Sequence, residues 1–160
     1  MSILICSQAD AKKEVGAHRG YYDVISIRGV RRPTDKYFDK DFEKNCKSLL
    51  KLYFDDVWLP RHANAGWVLP NKKTIKEALE WATNKENLLV HCKAGKSRSA
   101  AVAYLIGCMK TNDPEGVSKA LLKQGYHIPN ELIVQFGAEI LGNQNVWNTF
   151  AKNFPVYGGI

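Results

Sequence analysis

Residues 88–101 constrain the fold of this chain more than any other segment. They read LLVHCKAGKSRSAA, so that an apolar run typical of a buried strand passes through a loop of small residues into a helix-forming stretch. Gly95 permits a tight turn in the loop because it has no Cβ. Unpaired N–H groups and the positive end of the helix dipole would meet at this loop. The segment therefore predicts a strand, a loop and a helix that together bind a phosphate-sized anion.

Strands and helices alternate in the first half of the chain. Short apolar or alternating runs predict strands at residues 3–6, 24–27, 49–54 and 88–91. Charged or amphipathic stretches between them predict helices over residues 8 to about 15, 39 to about 47, and 74–83. Such alternation favours a parallel sheet.

The second half of the chain reads as helical. Residues 100–110 are nearly all apolar, as in a buried central helix, and further helices are predicted over about 114–124 and 129–142. Trp147 and Phe150 are expected to pack back onto the domain, with Gly158 and Gly159 fraying. We therefore predict an α/β fold in one domain of residues 1–160. Its mostly parallel central sheet would have about four to five strands flanked by helices, with a helical C-terminal half.

The amino-acid composition limits which kinds of protein and which kinds of binding partner are compatible with this chain. The chain has 160 residues, 45% of them hydrophobic, and no apolar run approaches the roughly 18 residues of a membrane span, which favours a soluble globular domain. Lys and Arg number 23 against 16 Asp and Glu, a net charge of +7 that favours an anionic partner. Phosphorylated substrates, nucleic acid and a membrane surface all qualify, although no specific motif supports the last two.

The four cysteines, Cys6, Cys46, Cys92 and Cys108, show no paired spacing, and no signal peptide precedes them. A disulfide framework is therefore not expected, and a reducing, cytoplasmic setting is the default. Cys6 and Cys108 fall in apolar patterns that predict core positions. The four histidines form no ligand-spaced cluster, so we expect no metal.

Cys92 lies at the mouth of the anion-binding loop, where backbone amides and nearby cations would favour a thiolate over a thiol. A thiolate is a nucleophile. Arg98 offers a planar fork of donors that can hold two phosphoryl oxygens through a transition state. Ser99 can donate its hydroxyl to the sulfur and make it a better leaving group. These residues predict phosphoryl transfer to Cys92.

The loop segment begins with His91-Cys92 and continues through five residues to Arg98 and Ser99. This pattern resembles the signature of cysteine-dependent protein tyrosine phosphatases, in the form typical of dual-specificity phosphatases. The resemblance covers roughly residues 49–141. It implies a protein tyrosine phosphatase-like fold, a phosphocysteine intermediate and no cofactor. It also implies that the substrate phosphate is bound by the loop residues Lys93, Ala94, Gly95, Lys96, Ser97 and Arg98. His91 would tune Cys92 through the local backbone or be inert.

The same resemblance implies a general acid on a loop after a strand, upstream of the signature. Asp55 and Asp56 occupy that location, and no other Asp lies between them and Cys92. Asp56 fits the family pattern better, but two adjacent carboxylates leave the register open. We therefore expect Asp56 to be the acid and keep Asp55 as the alternative.

Other phosphate-loop families fit less well. A Walker A nucleotide loop needs Gly at position 90, which is Val. The low-molecular-weight tyrosine phosphatases and arsenate reductases carry their cysteine near the N-terminus, whereas Cys92 lies late in this chain.

The substrate is less constrained than the reaction. We expect phosphotyrosine in proteins first, with phosphoserine or phosphothreonine possible. Lys93 and Lys96 make the loop similar to that of phosphatase-and-tensin-type lipid phosphatases, so a phosphoinositide or inositol polyphosphate is the alternative, with RNA 5′-phosphate behind it. A non-catalytic phosphate-binding module fits the intact motif least. Arg28, Arg31 and Arg32 would either form a solvated basic turn or bind an acidic group of the substrate.

Overall fold

Four parallel strands form the central sheet. The computed structural model describes residues 2–33 and 35–156, so the expected fraying of Gly158 and Gly159 lies outside the described residues. Within these residues the strands are β1 (Ser2–Ser7), β2 (Asp23–Arg28), β3 (Ser48–Tyr53) and β4 (Asn87–Cys92). Their order is β1-β4-β2-β3, and all neighbours are parallel. The predicted α/β fold with a parallel sheet of about four to five strands is confirmed, at four strands in the described part.

Helices connect the strands and make up the C-terminal half. In the described residues they are α1 (Gln8–Ala17), α2 (Lys40–Asn45), α3 (Arg61–Asn64), α4 (Lys72–Ala82), α5 (Arg98–Thr111), α6 (Pro114–Gln124), α7 (Glu131–Leu141) and α8 (Gln144–Asn153). A single 3-10 turn, Asp35–Tyr37, precedes α2. None of these helices is long and apolar enough to span a membrane.

Side-chain caps determine where most of these helices begin. Six of them start after a residue whose side chain accepts a backbone N–H of the first turn: Ser7, Asp39, Asn71, Asp113, Asn130 and Asn143. The cap at Asn143 starts α8, which the sequence analysis did not predict as a helix. The start of α5 has no such cap, because the Ser97 side chain makes a different contact.

The C-terminal helices cover one face of the sheet, and the predicted helical C-terminal half is observed. Helix α5 is buried along nearly its whole length, and its Tyr104, Leu105 and Ile106 lie in the main core with residues of α4, α6, α7 and α8. Phe150 is buried there beside Trp147, so the expected packing of this segment onto the domain is observed. Helices α1 and α2 cover the opposite face.

This topology brings three loops to the same edge of the sheet. Strand β4 lies between β1 and β2, with Ser7 beside Cys92 and Ser26 beside His91. The loops after β2, β3 and β4 therefore leave the sheet at its carboxyl edge, where ligands of open α/β sheets bind.

Candidate active site

Three carbonyl groups of the loop between β4 and α5, residues 93–97, are held outward by neighbouring segments. The donors are backbone N–H groups: Gln8 N to Lys93 O at 3.1 Å, Ile128 N to Lys96 O at 2.9 Å, and Asn130 N to Ser97 O at 3.2 Å. Because a peptide plane carries its carbonyl and N–H on opposite sides, outward carbonyls turn N–H groups toward the inside of the loop. The loop therefore presents a concave set of N–H groups suited to an anion, continued by the N–H groups of the first turn of α5.

Gly95 is required at the centre of this loop for two reasons. Its φ is +71°, in the left-handed region. A Cβ at this position would also lie 2.5 Å from both the Cys6 carbonyl carbon and the Ser7 nitrogen, which are backbone atoms. The loop thus rests directly on the junction of β1 and α1.

Cys92 lies at the base of the loop and is 2% exposed. Its Sγ accepts a hydrogen bond from Gly95 N at 3.3 Å and lies 3.1 Å from Ser99 Oγ. All four cysteines are free. Burial raises the pKa of Cys6 and Cys46 to about 11 and that of Cys108 to about 12, which keeps those three as neutral thiols. Cys6 and Cys108 are buried, as predicted.

Arg98 opens α5 with its side chain buried beneath the loop after β3. Its Nη1 donates to the Phe54 carbonyl at 2.9 Å, which fixes the plane of the guanidinium. Its Nε is buried and has no partner among the described residues. One edge of the guanidinium is thus held by the protein, while Nε remains for an oxyanion.

Asp55 and Asp56 face different surroundings. Asp55 is 3% exposed and accepts backbone N–H groups from Val30 at 2.9 Å, Arg31 at 3.2 Å and Val68 at 2.8 Å. Asp56 is exposed, and its Oδ1 accepts from Ser97 Oγ at 2.7 Å. The structure therefore brings Asp56 to the Cys92 loop and uses Asp55 to join neighbouring loops.

Asn130 is a site residue that the sequence analysis treated only as the start of a helix. Its Oδ1 caps α7 by accepting Ile133 N, while its Nδ2 donates to Asp56 Oδ1 at 3.0 Å and to the Val57 carbonyl at 3.2 Å. Its backbone N–H binds Ser97 O. One residue therefore holds the Asp56 segment and the Cys92 loop together. The Pro129-Asn130 pair was the only local signal of this role.

His91 lies on the other face of the sheet from Cys92. Its Nδ1 is 3.4 Å from the Cys92 carbonyl, and its ring packs against Phe38 and Phe42. Burial is the main cause that lowers its pKa to about 4, so the ring is neutral near pH 7. The ring therefore contacts the backbone of Cys92, and whether it tunes the Cys92 thiol stays a prediction.

A pocket of about 340 Å³ opens beside the loop. Its lining includes Asp56, Trp58, Ala94, Lys96, Ser97 and, from the segment after α8, Pro155. Lys93 is exposed beside Ala94 but does not line this pocket. Among the described residues, no three His, Cys, Asp or Glu side chains are grouped so that they could hold a metal ion.

Solved structures with a similar fold are phosphatases. Tk-PTP in its active form matches with a TM-score of 0.58 at 13% identity, covering 89% of this chain and 92% of its own. DUSP15 matches with a TM-score of 0.57 at 20% identity, covering 96% of this chain and 92% of its own. PTPMT1 in complex with PI(5)P matches with a TM-score of 0.57 at 18% identity, covering 88% of this chain and 93% of its own. The chain has the dual-specificity phosphatase fold. No protein-family model and no curated protein sequence matches it.

Replacing Gly95 with Ala tests the close approach of the loop to β1. The variant Gly95→Ala should lose at least about tenfold in affinity for inorganic phosphate and about 2 kcal/mol of stability, because the new Cβ meets backbone atoms. Gly20→Ala is a matched control, since Gly20 has the same φ of +71° but nothing within 4 Å of the added Cβ. Calorimetry and thermal unfolding measure the two effects. Equal losses in both variants would show that the contact with β1 is unimportant.

The buried His91 should make stability fall in weak acid. Its pKa is about 4 in the folded state and about 6.5 when unfolded, so the unfolded state binds the proton more readily between these values. Stability is therefore complete above pH 6.5 and declines by about 2 kcal/mol on going to pH 5. Urea unfolding at about pH 7 and about pH 5 should show a decline that is smaller by about 2 kcal/mol in His91→Asn than in the wild type and in His18→Asn, at an exposed site. Burial also lowers the pKa of His127, so part of the decline remains in all three proteins. An unchanged pH slope in His91→Asn would contradict the assignment.

Proposed function

We propose that the protein is a cysteine-dependent phosphatase that hydrolyses phosphate monoesters through a phosphocysteine intermediate. The observation that carries the proposal is the convergence of Cys92 Sγ, inward-facing amides, the Arg98 guanidinium and the Asp56 carboxylate at one edge of the sheet. These groups supply a nucleophile, an oxyanion site and an acid, which together suffice to transfer the phosphoryl group of a phosphate ester to Cys92.

In the first step, Cys92 Sγ attacks phosphorus and the bond from phosphorus to the ester oxygen breaks. The loop amides and Arg98 bind the three equatorial oxygens, whose charge they offset as the transition state forms. Asp56 gives a proton to the departing oxygen. Its Oδ1 already accepts from Ser97 and Asn130, so that Oδ2 is the oxygen that carries this proton.

In the second step, water attacks the phosphocysteine and the bond from sulfur to phosphorus breaks. Asp56, now a carboxylate, takes a proton from the water, and inorganic phosphate leaves. Ser99 Oγ, 3.1 Å from Sγ, donates to the departing thiolate and so makes it a better leaving group. Because the reaction needs a reduced thiolate, we place the protein in a reducing, cytoplasmic setting.

The substrate we propose first is phosphotyrosine in proteins, with phosphoserine and phosphothreonine included. Trp58 in the pocket lining offers an aromatic wall for a phosphotyrosine ring. A phosphoinositide is the second candidate. The observations that favour it are the exposed Lys93 and Lys96 beside the pocket and the similar fold of PTPMT1, which was solved with PI(5)P.

Removing the nucleophile tests the reaction. The wild type should hydrolyse p-nitrophenyl phosphate in the presence of a chelator, and Cys92→Ser should lower kcat at least about a thousandfold because serine is a far weaker nucleophile at neutral pH. Cys46→Ser is the matched control, since that thiol is half-buried in α2's C-cap and remote from the loop. Retained turnover in Cys92→Ser would overturn the proposal, as would wild-type activity that the chelator removes. Values of kcat/KM for phosphotyrosine and phosphothreonine peptides and for phosphoinositides then rank the substrates.

Comparing the hydrolysis rates of esters with good and poor leaving groups tests which of the two aspartates is the general acid. Phenol leaves far less readily than p-nitrophenol, so that loss of the general acid in Asp56→Asn should slow phenyl phosphate hydrolysis by about a hundredfold and p-nitrophenyl phosphate hydrolysis much less. Asp55→Asn removes a carboxylate that binds three backbone N–H groups, and it should lower the melting temperature and affect both esters alike. The reverse pattern would make Asp55 the acid.

A further inference from the structure

Two arginines on the turn after β2, residues 29–33, lie close to the candidate acid. We call this segment the basic turn. Ser26 of β2 lies beside His91 of β4, so the basic turn and the Cys92 loop leave neighbouring strands at the same edge. Arg31 N is 3.2 Å from Asp55 Oδ1, and Asp56 is the next residue. Summing the intervening bonds places the Arg31 backbone within about 15 Å of the Asp56 carboxylate.

Asp55 fixes the position of the basic turn. The carboxylate accepts N–H groups from both Val30 and Arg31, and it joins them to Val68 on the segment that follows α3. A Cβ at Gly29 would lie 2.9 Å from the Arg32 carbonyl oxygen, so the turn closes tightly on itself. The two arginines are therefore presented on a braced turn.

The guanidinium groups of Arg31 and Arg32 share one aromatic platform. Their Cζ atoms lie 4.4 and 5.9 Å from the Trp67 ring, and neither group forms an ion pair with a carboxylate among the described residues. Arg28 differs, since it is buried at the end of β2 and donates to Ser26 and Asp35, and so does not belong to a solvated turn. Two exposed guanidinium groups that stack on one ring, without a carboxylate partner in the described part of the chain, are suited to bind an anion.

The surface around the pair is partly apolar. Val30 and Val68, whose backbones Asp55 joins, are each 39% exposed. A peptide offers side chains to such a surface, whereas a soluble inositol headgroup does not. An extended peptide advances about 3.3 Å per residue, so a few residues beside a phosphotyrosine span the distance from the pocket to the basic turn.

We propose that Arg31 and Arg32, stacked on Trp67, form a second anion site that selects phosphopeptides with an acidic residue near the phosphotyrosine. The acidic group is an Asp or Glu carboxylate or a second phosphate. This inference rests on the proposed phosphatase function and adds a substrate preference to it. The site increases kcat/KM by holding the flanking anion while the phosphotyrosine occupies the pocket.

The test compares two phosphotyrosine peptides that differ only in flanking Asp or Asn residues. The wild type should favour the Asp peptide by about fivefold in kcat/KM, and this ratio should approach one in Arg31→Gln/Arg32→Gln. Lys12→Gln/Lys13→Gln removes the same charge from exposed positions of α1 and should keep the wild-type ratio. Raising NaCl from about 0.05 to 0.5 M should also reduce the wild-type ratio, because salt screens exposed charges.

Each outcome separates this inference from the proposed function. If the wild type cleaves neither peptide nor p-nitrophenyl phosphate, the phosphatase function fails. If it cleaves both peptides equally well, only the second site fails. If Arg31→Gln/Arg32→Gln keeps the peptide ratio but lowers turnover of a phosphoinositide in anionic vesicles, the arginines bind a membrane surface and the peptide proposal is wrong.

Discussion

The candidate site depends on the three hydrogen bonds that hold the carbonyls of Lys93, Lys96 and Ser97 outward. An isolated loop of five residues has no reason to point its N–H groups to one side, since each residue can adopt any of several allowed φ/ψ regions and each choice turns the peptide plane differently. Here the donors come from Gln8, Ile128 and Asn130, which belong to the start of α1 and the approach to α7. The anion site is therefore a product of tertiary structure, although the residues that would bind the anion are consecutive in the chain.

The side chains of Asp55 and Asp56 have different surroundings, although the two residues are adjacent in the chain. Both follow β3, yet one carboxylate is enclosed by backbone N–H groups and the other reaches a hydroxyl and an amide at the edge of a pocket. The enclosed carboxylate of Asp55 positions the basic turn, and the open one of Asp56 faces the Cys92 loop. Two carboxylates that are adjacent in the chain thus make separate contacts: Asp55 braces the backbone of neighbouring loops, and Asp56 joins the Cys92 loop to Asn130.

Structure that depends on nearby residues could be predicted from the sequence. The strand, the Gly95 turn and the apolar helix of residues 88–101 are all local patterns, and the parallel sheet follows from the alternation of strands and helices. Two features that depend on distant residues could not be predicted: the contact of Asn130 with Asp56, across 74 residues, and the burial of Arg28, which needs Phe38 and Asp35 to fold over it. Helix α8 was missed because its apolar face consists of few residues, chiefly Val146 and Phe150, in a polar segment. These features depend on distant partners that no local pattern specifies.

The contact between Gly95 and the junction of β1 and α1 ties the loop to an edge strand of the sheet. Among the described residues, strand β1 pairs with β4 alone, and edge strands open more readily than central ones. When β1 opens, the loop loses both the wall behind Gly95 and the Gln8 donor to Lys93. The persistence of the loop's shape then depends on how long residues 2–7 stay paired with β4, and a ligand in the loop would slow amide hydrogen exchange in a strand that it never touches.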